Sequence, residues 1–182
     1  MNNIKKLAWV GAQGSAKTTT VNRIYTMLEK LGFLTYKIPE TARMCPFPIN
    51  EKTTILAQLW MINRQLSEEL IAYKYLDSIL NSPYDEPKPR FILCDRSIYD
   101  PVIYSRSAVK HGNMTKEEMM MVEETVKQNL KSMQDYDHIF LCEPKPLYDD
   151  GTRSTDEAWQ KEIYSLWKEY VKEKGLKVTV VQ

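Results

Sequence analysis

Gly11, Gly14, Lys17 and Thr18 fall at the spacing of a phosphate-cradling loop, in the run Leu7-Ala8-Trp9-Val10-Gly11-Ala12-Gln13-Gly14-Ser15-Ala16-Lys17-Thr18-Thr19-Thr20. The apolar residues up to Val10 read as a strand, the small residues from Gly11 as a loop, and Lys17-Thr18 as the opening of a helix. That order is the context such a loop requires. Successive backbone N–H groups point inward and hold an anion, and the helix N-terminus adds roughly half an elementary positive charge. This assigns Gly11, Ala12, Gln13, Gly14, Ser15, Ala16, Lys17, Thr18 and Thr19 to a nucleotide. Lys17 would reach its β- and γ-phosphates, and the Thr18 hydroxyl would take a position on Mg²⁺. Ala16 stands where the motif has glycine, so a methyl group meets backbone that must approach phosphate closely. The competing reading is a strand–turn–helix whose small residues only permit tight packing. Four motif positions coinciding after one strand favour phosphate binding.

Polar residues able to act on a phosphate recur wherever a later apolar run ends. Phe91-Ile92-Leu93-Cys94 ends in Asp95, followed by Arg96 and Ser97. An acid there can hold Mg²⁺ or accept a proton from an attacking hydroxyl. Its alternative is to cap a helix from residue 98, which Ser97 would do equally well. Arg96 offers a rigid fork of donors to transferred or acceptor phosphate, or else makes a structural ion pair with Glu40. Glu40 follows Pro39 at another strand end, where a carboxylate can receive an acceptor hydroxyl or sugar hydroxyls. Arg43 shares a face with it if the segment turns helically; a surface pair is the alternative for these two. In Asp149-Asp150-Gly151-Thr152-Arg153-Ser154, Arg153 is placed to neutralise charge developing in phosphoryl transfer, while Ser154 or Thr155 would cap the next helix. On a long helix Gln58 and Arg64 are candidates to face the acceptor, with Trp60, Phe47 or Tyr99 for stacking; ordinary surface or core is the favoured reading for each taken singly. His111 and His138 are isolated and receive no catalytic role.

Stepwise apolar periodicity supplies the elements that must position these groups. Strands are expected at Ile4–Val10, 33–38, Arg90–Asp95, His138–Cys142 and 176–181. Helices are expected at 18–31, 52–80, 98–110, 115–133 and 155–174, from apolar residues three and four apart. The segment 40–50 carries Pro46 and Pro48 and reads as a loop with one turn over 40–44; 81–89 and 143–154 also read as loops. The Met119-Met120-Met121 cluster reads as adaptable core. Strands alternating with helices argue for a parallel sheet with helices on both faces. In such sheets ligands bind beyond the carboxyl ends of the strands, where the acids and arginines recur.

The chain has 182 residues, which suits one domain, 1–182. With 25 basic and 24 acidic residues, its net charge of +1 gives no general reason to bind nucleic acid or anionic membrane. No apolar run approaches the ~18 residues that span a bilayer. The N-terminus lacks the apolar stretch and cleavage site of a signal peptide. The three cysteines, Cys45, Cys94 and Cys142, are far apart and read as reduced, buried thiols. Together these predict a cytoplasmic protein.

The loop at Gly11 to Thr19, Pro39-Glu40-Thr41-Ala42-Arg43, Asp95-Arg96-Ser97 and Asp150-Gly151-Thr152-Arg153 resemble the P-loop nucleoside and nucleotide kinase superfamily over nearly the whole chain. They look most like the ribosylnicotinamide-kinase-like group of small ATPase/kinase domains. Deoxynucleoside and thymidylate kinases show a related arrangement. The resemblance implies a three-layer P-loop NTPase sandwich whose five parallel strands run in the order 2-3-1-4-5. It implies MgATP as donor, Glu40 and Asp95 as candidates for acceptor binding and base catalysis, and Arg153 on a lid. Ala16 departs from the family's glycine, which bears on donor affinity.

The leading expectation is therefore ATP- and Mg²⁺-dependent phosphoryl transfer to a nucleoside, nucleotide or similar small hydroxyl compound. Lys17, Asp95, Glu40, Arg96 and Arg153 are its catalytic candidates. Glu40, Arg43, Gln58 and Arg96 are those for the acceptor, and Thr18 and Asp95 those for the metal. One rival is an NTPase switch without a small acceptor, though no Asn-Lys-x-Asp guanine motif is present. Another is a kinase of nucleic-acid ends, which near-zero net charge disfavours. A binding protein inactivated at Ala16 is a third.

Overall fold

The computed structural model describes residues 3–80, 89–147 and 155–182. In chain order the elements are β1 (Ile4–Val10), α1 (Lys17–Lys30), β2 (Thr35–Ile38), α2 (Ile55–Leu80), β3 (Arg90–Asp95), α3 (Asp100–Lys110), α4 (Lys116–Ser132), β4 (His138–Cys142), α5 (Glu157–Lys174) and β5 (Val178–Val181). The strands form one parallel sheet in the order β2-β3-β1-β4-β5. This is the expected order, with helices on both faces. The register sets Trp9 of β1 beside Asp95 of β3, so the phosphate-loop turn and the acid emerge side by side.

Side chains alternate across the central strands, and each parity finds its own partner layer. Leu7, Trp9, Phe91, Leu93, Phe140 and Cys142 pack with Val21, Ile24, Tyr25 and Leu28 of α1. The Trp9 and Phe140 rings stack there at 4.8 Å. Ile4, Ala8, Val10, Ile92, Cys94, Ile139 and Leu141 face the larger cluster built with α2, α3, α4 and α5. The layers are thus unequal: one helix covers the first face and four cover the second. Both strand parities are apolar, which explains the near-continuous hydrophobic runs in the sequence.

Boundaries shift where local hydrogen bonding overrides periodicity. A 3₁₀ turn spans Thr41–Met44, in line with the single turn expected there, and a second spans Asn50–Lys52 before α2 begins at Ile55. The helix expected from residue 98 starts instead at Asp100, whose carboxylate accepts from Ser97 N and Oγ at 2.7 and 2.9 Å. Residues 97–99 are thereby a turn and not a helical start. The cap of α5 is Asp156, accepting from Ala158 N and Trp159 N at 2.8 and 3.0 Å, in place of the expected Ser154 or Thr155. For α4 the capping box is formed by Thr115 and Glu118. No helix among the described residues is long and apolar enough to cross a membrane.

Candidate functional site

The loop after β1 closes around its own lysine. Lys17 Nζ donates to Ala12 O at 2.6 Å, to Ser15 Oγ at 3.0 Å and to Gly11 O at 3.1 Å. Burial, with the Arg96 charge adding repulsion, lowers the Lys17 ammonium to about 8. Such a cation gains from any anion brought into the loop. Two glycines are sterically required. A Cβ on Gly11, at φ 131°, would stand 2.7 Å from Cys142 O. On Gly14 a Cβ would collide with Leu147 Cδ2 and approach Gln160 Nε2 to 2.9 Å. Ala16 holds the left-handed conformation (φ 57°) that the motif's glycine would adopt freely. Its carbonyl accepts from Thr20 N at 3.0 Å and Thr20 Oγ1 at 3.1 Å, locking the turn onto α1.

Beside this loop, Thr18 Oγ1 donates to Asp95 Oδ2 at 2.5 Å. Asp95 Oδ1 is buried and has no hydrogen-bond partner among the described residues. Burial raises the Asp95 carboxyl above its ordinary range. A hydroxyl and a carboxylate with one buried, unsatisfied oxygen fit a hard divalent cation such as Mg²⁺, which takes one or two protein oxygens and keeps several waters. No group of three or more His, Cys, Asp or Glu able to hold a metal occurs among the described residues. The helix-capping alternative for Asp95 falls away, because Asp100 satisfies Ser97 instead.

Glu40 and Arg96 meet across the strand ends. Arg96 Nε donates to Glu40 Oε1 at 2.7 Å, and its NH1 donates to Asp100 Oδ1 and Tyr104 Oη at 3.1 Å each. Arg43, turned back by the 3₁₀ segment, donates to Glu40 Oε2 at 3.2 Å. Burial opposes the Glu40 charge, yet Arg96 and then Lys17 hold its carboxyl down to about 2. Arg96 itself adopts φ 90°, and its N–H donates to Trp9 O at 3.0 Å, so the ion pair sits on strained backbone.

Two cavities flank this pair. The smaller, about 120 Å³, is lined by the loop residues Gln13 to Thr19 with Lys145 and Pro146. The larger, about 260 Å³, is lined on its polar side by Thr41, Arg43, Gln58, Gln65, Ser97 and Asp100, and on its apolar side by Ile49, Met61, Pro101 and Tyr104. Glu40 and Arg96 line both. The arrangement can hold a polyphosphate at one end and a hydroxyl compound at the other, with a carboxylate and a guanidinium between them.

The structure thus gathers Gly11 to Thr19, Glu40, Arg43, Gln58, Asp95 and Arg96 at one sheet edge. Gln58 is buried, with Nε2 donating to Thr53 Oγ1 at 2.6 Å and Oε1 without a partner among the described residues. Arg64 pairs with Glu68 on the helix and does not line the larger cavity. Trp60, Phe47 and Tyr99 do not line it either. The Tyr99 ring is core, and its hydroxyl donates to the Asp135 carboxylate at 2.9 Å. Arg153, with Asp149, Asp150 and Ser154, lies outside the described residues. No sequence signal pointed to Gln160, whose Nε2 donates to Gln13 O at 2.7 Å and Lys145 O at 3.0 Å, tying α5 to the loop. Asp100 and Gln65 also escape sequence reasoning. Asp100 has a signal in its spacing of four from Arg96, on the helix that follows.

Comparison with solved structures gives the same fold. Two structures of NadR protein, one in complex with NAD and AMP-PNP and one in complex with NR, superpose with TM-score 0.67 at 17% and 20% identity. They cover 98% of this chain, which spans only 44% and 45% of theirs. Deoxyadenosine kinase from M. mycoides with bound dATP superposes with TM-score 0.63 at 18% identity, covering 98% of this chain and 90% of its own. No curated protein matches the sequence. Residues 6–182, nearly the whole chain, match the family described as AAA domain. With the phosphate loop and its neighbouring acid in place on the expected sheet, the chain belongs to that AAA domain family.

Proposed function

We propose that the protein transfers a phosphoryl group from MgATP to a hydroxyl of a nucleoside-like small molecule. The observation that carries this reading is the shared lining: Glu40 and Arg96 belong to both cavities, so donor and acceptor would meet across one ion pair. The larger cavity also argues against a nucleotide switch, which has no use for a second pocket of about 260 Å³ beside the phosphate loop. NadR in complex with NR, and deoxyadenosine kinase with dATP, superpose on this chain and lend the acceptor class its support.

In the proposed reaction the acceptor oxygen bonds to the γ-phosphorus as the bond from that phosphorus to the β,γ-bridging oxygen breaks, and ADP leaves. The acceptor hydroxyl donates to the Glu40 carboxylate, which Arg96 and Lys17 keep ionised beforehand and which takes the proton as the new P–O bond forms. Lys17 and the loop N–H groups hold the donor phosphates, and Arg96 offsets charge on the transferred group. Thr18 and Asp95 would hold Mg²⁺, which when bound neutralises phosphate charge. Most of the rate would come from placing the two reactants within contact distance, since the transfer asks little covalent chemistry of the protein.

The test is ADP release from MgATP with and without a panel of nucleosides, nucleotides, nicotinamide riboside and oligonucleotide ends. Acceptor-dependent release is expected with the small compounds. Slow release that no acceptor stimulates, abolished in Lys17→Ala, would replace this reading with an NTPase switch. The two acids are separable: Glu40→Gln should cut turnover by about 10²-fold or more while leaving MgATP affinity intact. Asp95→Asn should instead raise the Mg²⁺ concentration needed for half-maximal rate.

A further inference from the structure

The proposed transfer makes no use of a buried ion pair that lies behind Gln65, a lining residue of the larger cavity. Lys6, on the β1 parity that faces α2, donates through Nζ to Glu69 Oε2 at 2.7 Å, with the two side chains 1% and 2% exposed. Lys6 also donates to Gln134 O at 2.5 Å and stands 4.4 Å from the centre of the Tyr136 ring. Taking two charges out of water is costly, and such pairs are commonly no more stabilising than apolar side chains of the same volume. A structural role alone is a weak reason for one here.

The second oxygen of Glu69 gives the pair a purpose. Glu69 Oε1 accepts from Tyr136 Oη at 2.6 Å and from Gln65 Nε2 at 3.0 Å. Tyr136 Oη in turn accepts from Ile98 N at 2.8 Å, which commits the phenol proton to Glu69. An ionised carboxylate only accepts hydrogen bonds, so Gln65 must turn its NH₂ toward Glu69. Its carbonyl is left over. Gln65 lies one helical heptad beyond Gln58, with Met61 between them, and all three line the cavity that Glu40 and Arg96 also line. Gln58 also has a buried carbonyl, Oε1, with no partner among the described residues. The α2 wall of the cavity therefore offers two carbonyl acceptors and asks its occupant for N–H donors.

We propose that Gln65, its amide direction fixed by the Glu69–Lys6 pair, selects acceptors whose ring carries an amino or carboxamide NH₂. The proposal rests on the phosphoryl-transfer reading above and adds the class of heterocycle. Glu69 and Lys6 are positioning residues, acting only through Gln65. A buried carbonyl left without its donor carries the desolvation penalty of the group, which sets the discrimination at about 10- to 100-fold.

Pairs of compounds differing by that NH₂ test it: adenosine against purine riboside, cytidine against pyrimidin-2-one riboside, and nicotinamide riboside against nicotinic acid riboside. Acceptor-dependent ADP release and calorimetric binding are measured for each. At least one NH₂ member should exceed its partner about tenfold or more in kcat/KM, and Gln65→Met should bring that ratio near one. The double substitution Lys6→Met with Glu69→Leu replaces the pair by apolar volume and, in protein shown to be folded by circular dichroism, should lower the ratio, because the amide is then free to turn. A ratio near one in the wild type for every pair, with release still acceptor-dependent, would overturn the proposal and leave the transfer reading standing. An undiminished ratio in Gln65→Met would also overturn it. A ratio lost in Gln65→Met but kept in the folded double variant would overturn the role of Glu69. If no member of any pair binds or stimulates release, the transfer reading falls and this proposal with it.

Discussion

Ala16, Asn50 and Arg96 are the non-glycine residues with positive φ among those described, and each lines one of the two cavities or both. Left-handed backbone costs an L-residue on the order of 1–2 kcal/mol, so it persists where the surroundings impose it. At Ala16 the imposition comes from the tight turn that joins β1 to α1 and from Thr20, which holds the Ala16 carbonyl. The methyl group is therefore strain and not obstruction, and the departure from the motif's glycine leaves the loop built. Ala16→Gly removes that strain but adds freedom to the unfolded chain worth about 0.4–1 kcal/mol. The expected outcome is a stability unchanged or raised by up to about 1 kcal/mol in urea denaturation, together with tighter MgATP binding. A loss of about 1 kcal/mol, the usual cost of glycine inside a helix, would show that φ 57° is not strained here. The residues that make this loop were legible from residue type and spacing, because the strand–glycine turn–helix geometry dictates both. The direction of the Gln65 amide was not, since it depends on Lys6, Glu69 and Tyr136 from three separate parts of the chain.

Elements were legible wherever periodicity and turn residues agreed, as at Ile4–Val10, Arg90–Asp95 and His138–Cys142. They were misread where a side chain decides the boundary, as Asp100 does at the start of α3 and Asp156 at the start of α5. The tie between α5 and the phosphate loop belongs to the same class of hidden determinant. Gln160 is buried, and its NH₂ bridges Gln13 O and Lys145 O, while Leu147 packs where a Gly14 Cβ would be. One amide thus fixes the loop to the segment after β4, and the helix dipole of α1 can act only on a phosphate that this loop positions. Gln160→Leu keeps the side-chain volume and deletes both donors, leaving the buried Gln13 carbonyl unpaired at about 1–3 kcal/mol and freeing the part-buried Lys145 carbonyl. Its expected effect is a weakening of MgATP binding by about tenfold or more with acceptor affinity preserved. Titration calorimetry reads both affinities separately. A variant in which both fall equally would mean that Gln160 supports the fold at large and not the loop.

At the scale of the molecule, the order β2-β3-β1-β4-β5 determines which loops meet. β1 and β3 are neighbours, so Thr18 and Asp95 converge; β2 lies beside β3, so Glu40 reaches Arg96. The unequal layers do the rest: α1 stands alone beneath the phosphate loop, while α2 and α3 wall the larger cavity on the opposite face. Two sites on opposite sides of one ion pair make a joint prediction that neither makes alone. A compound carrying adenosine and an acceptor nucleoside at the two ends of one polyphosphate would occupy both cavities at once. Linking turns the second binding event into an intramolecular one, with an effective concentration in the millimolar range, and tightens binding by about 10²-fold or more over either half. The gain should depend on phosphate number, vanishing when the linker is too short to pass Glu40 and Arg96. Competition against labelled ATP across a series of linker lengths measures it. An optimum at one length would tie the two cavities to a single transfer. Binding no tighter than ATP at every length would mean that the larger cavity serves some compound other than the phosphoryl acceptor.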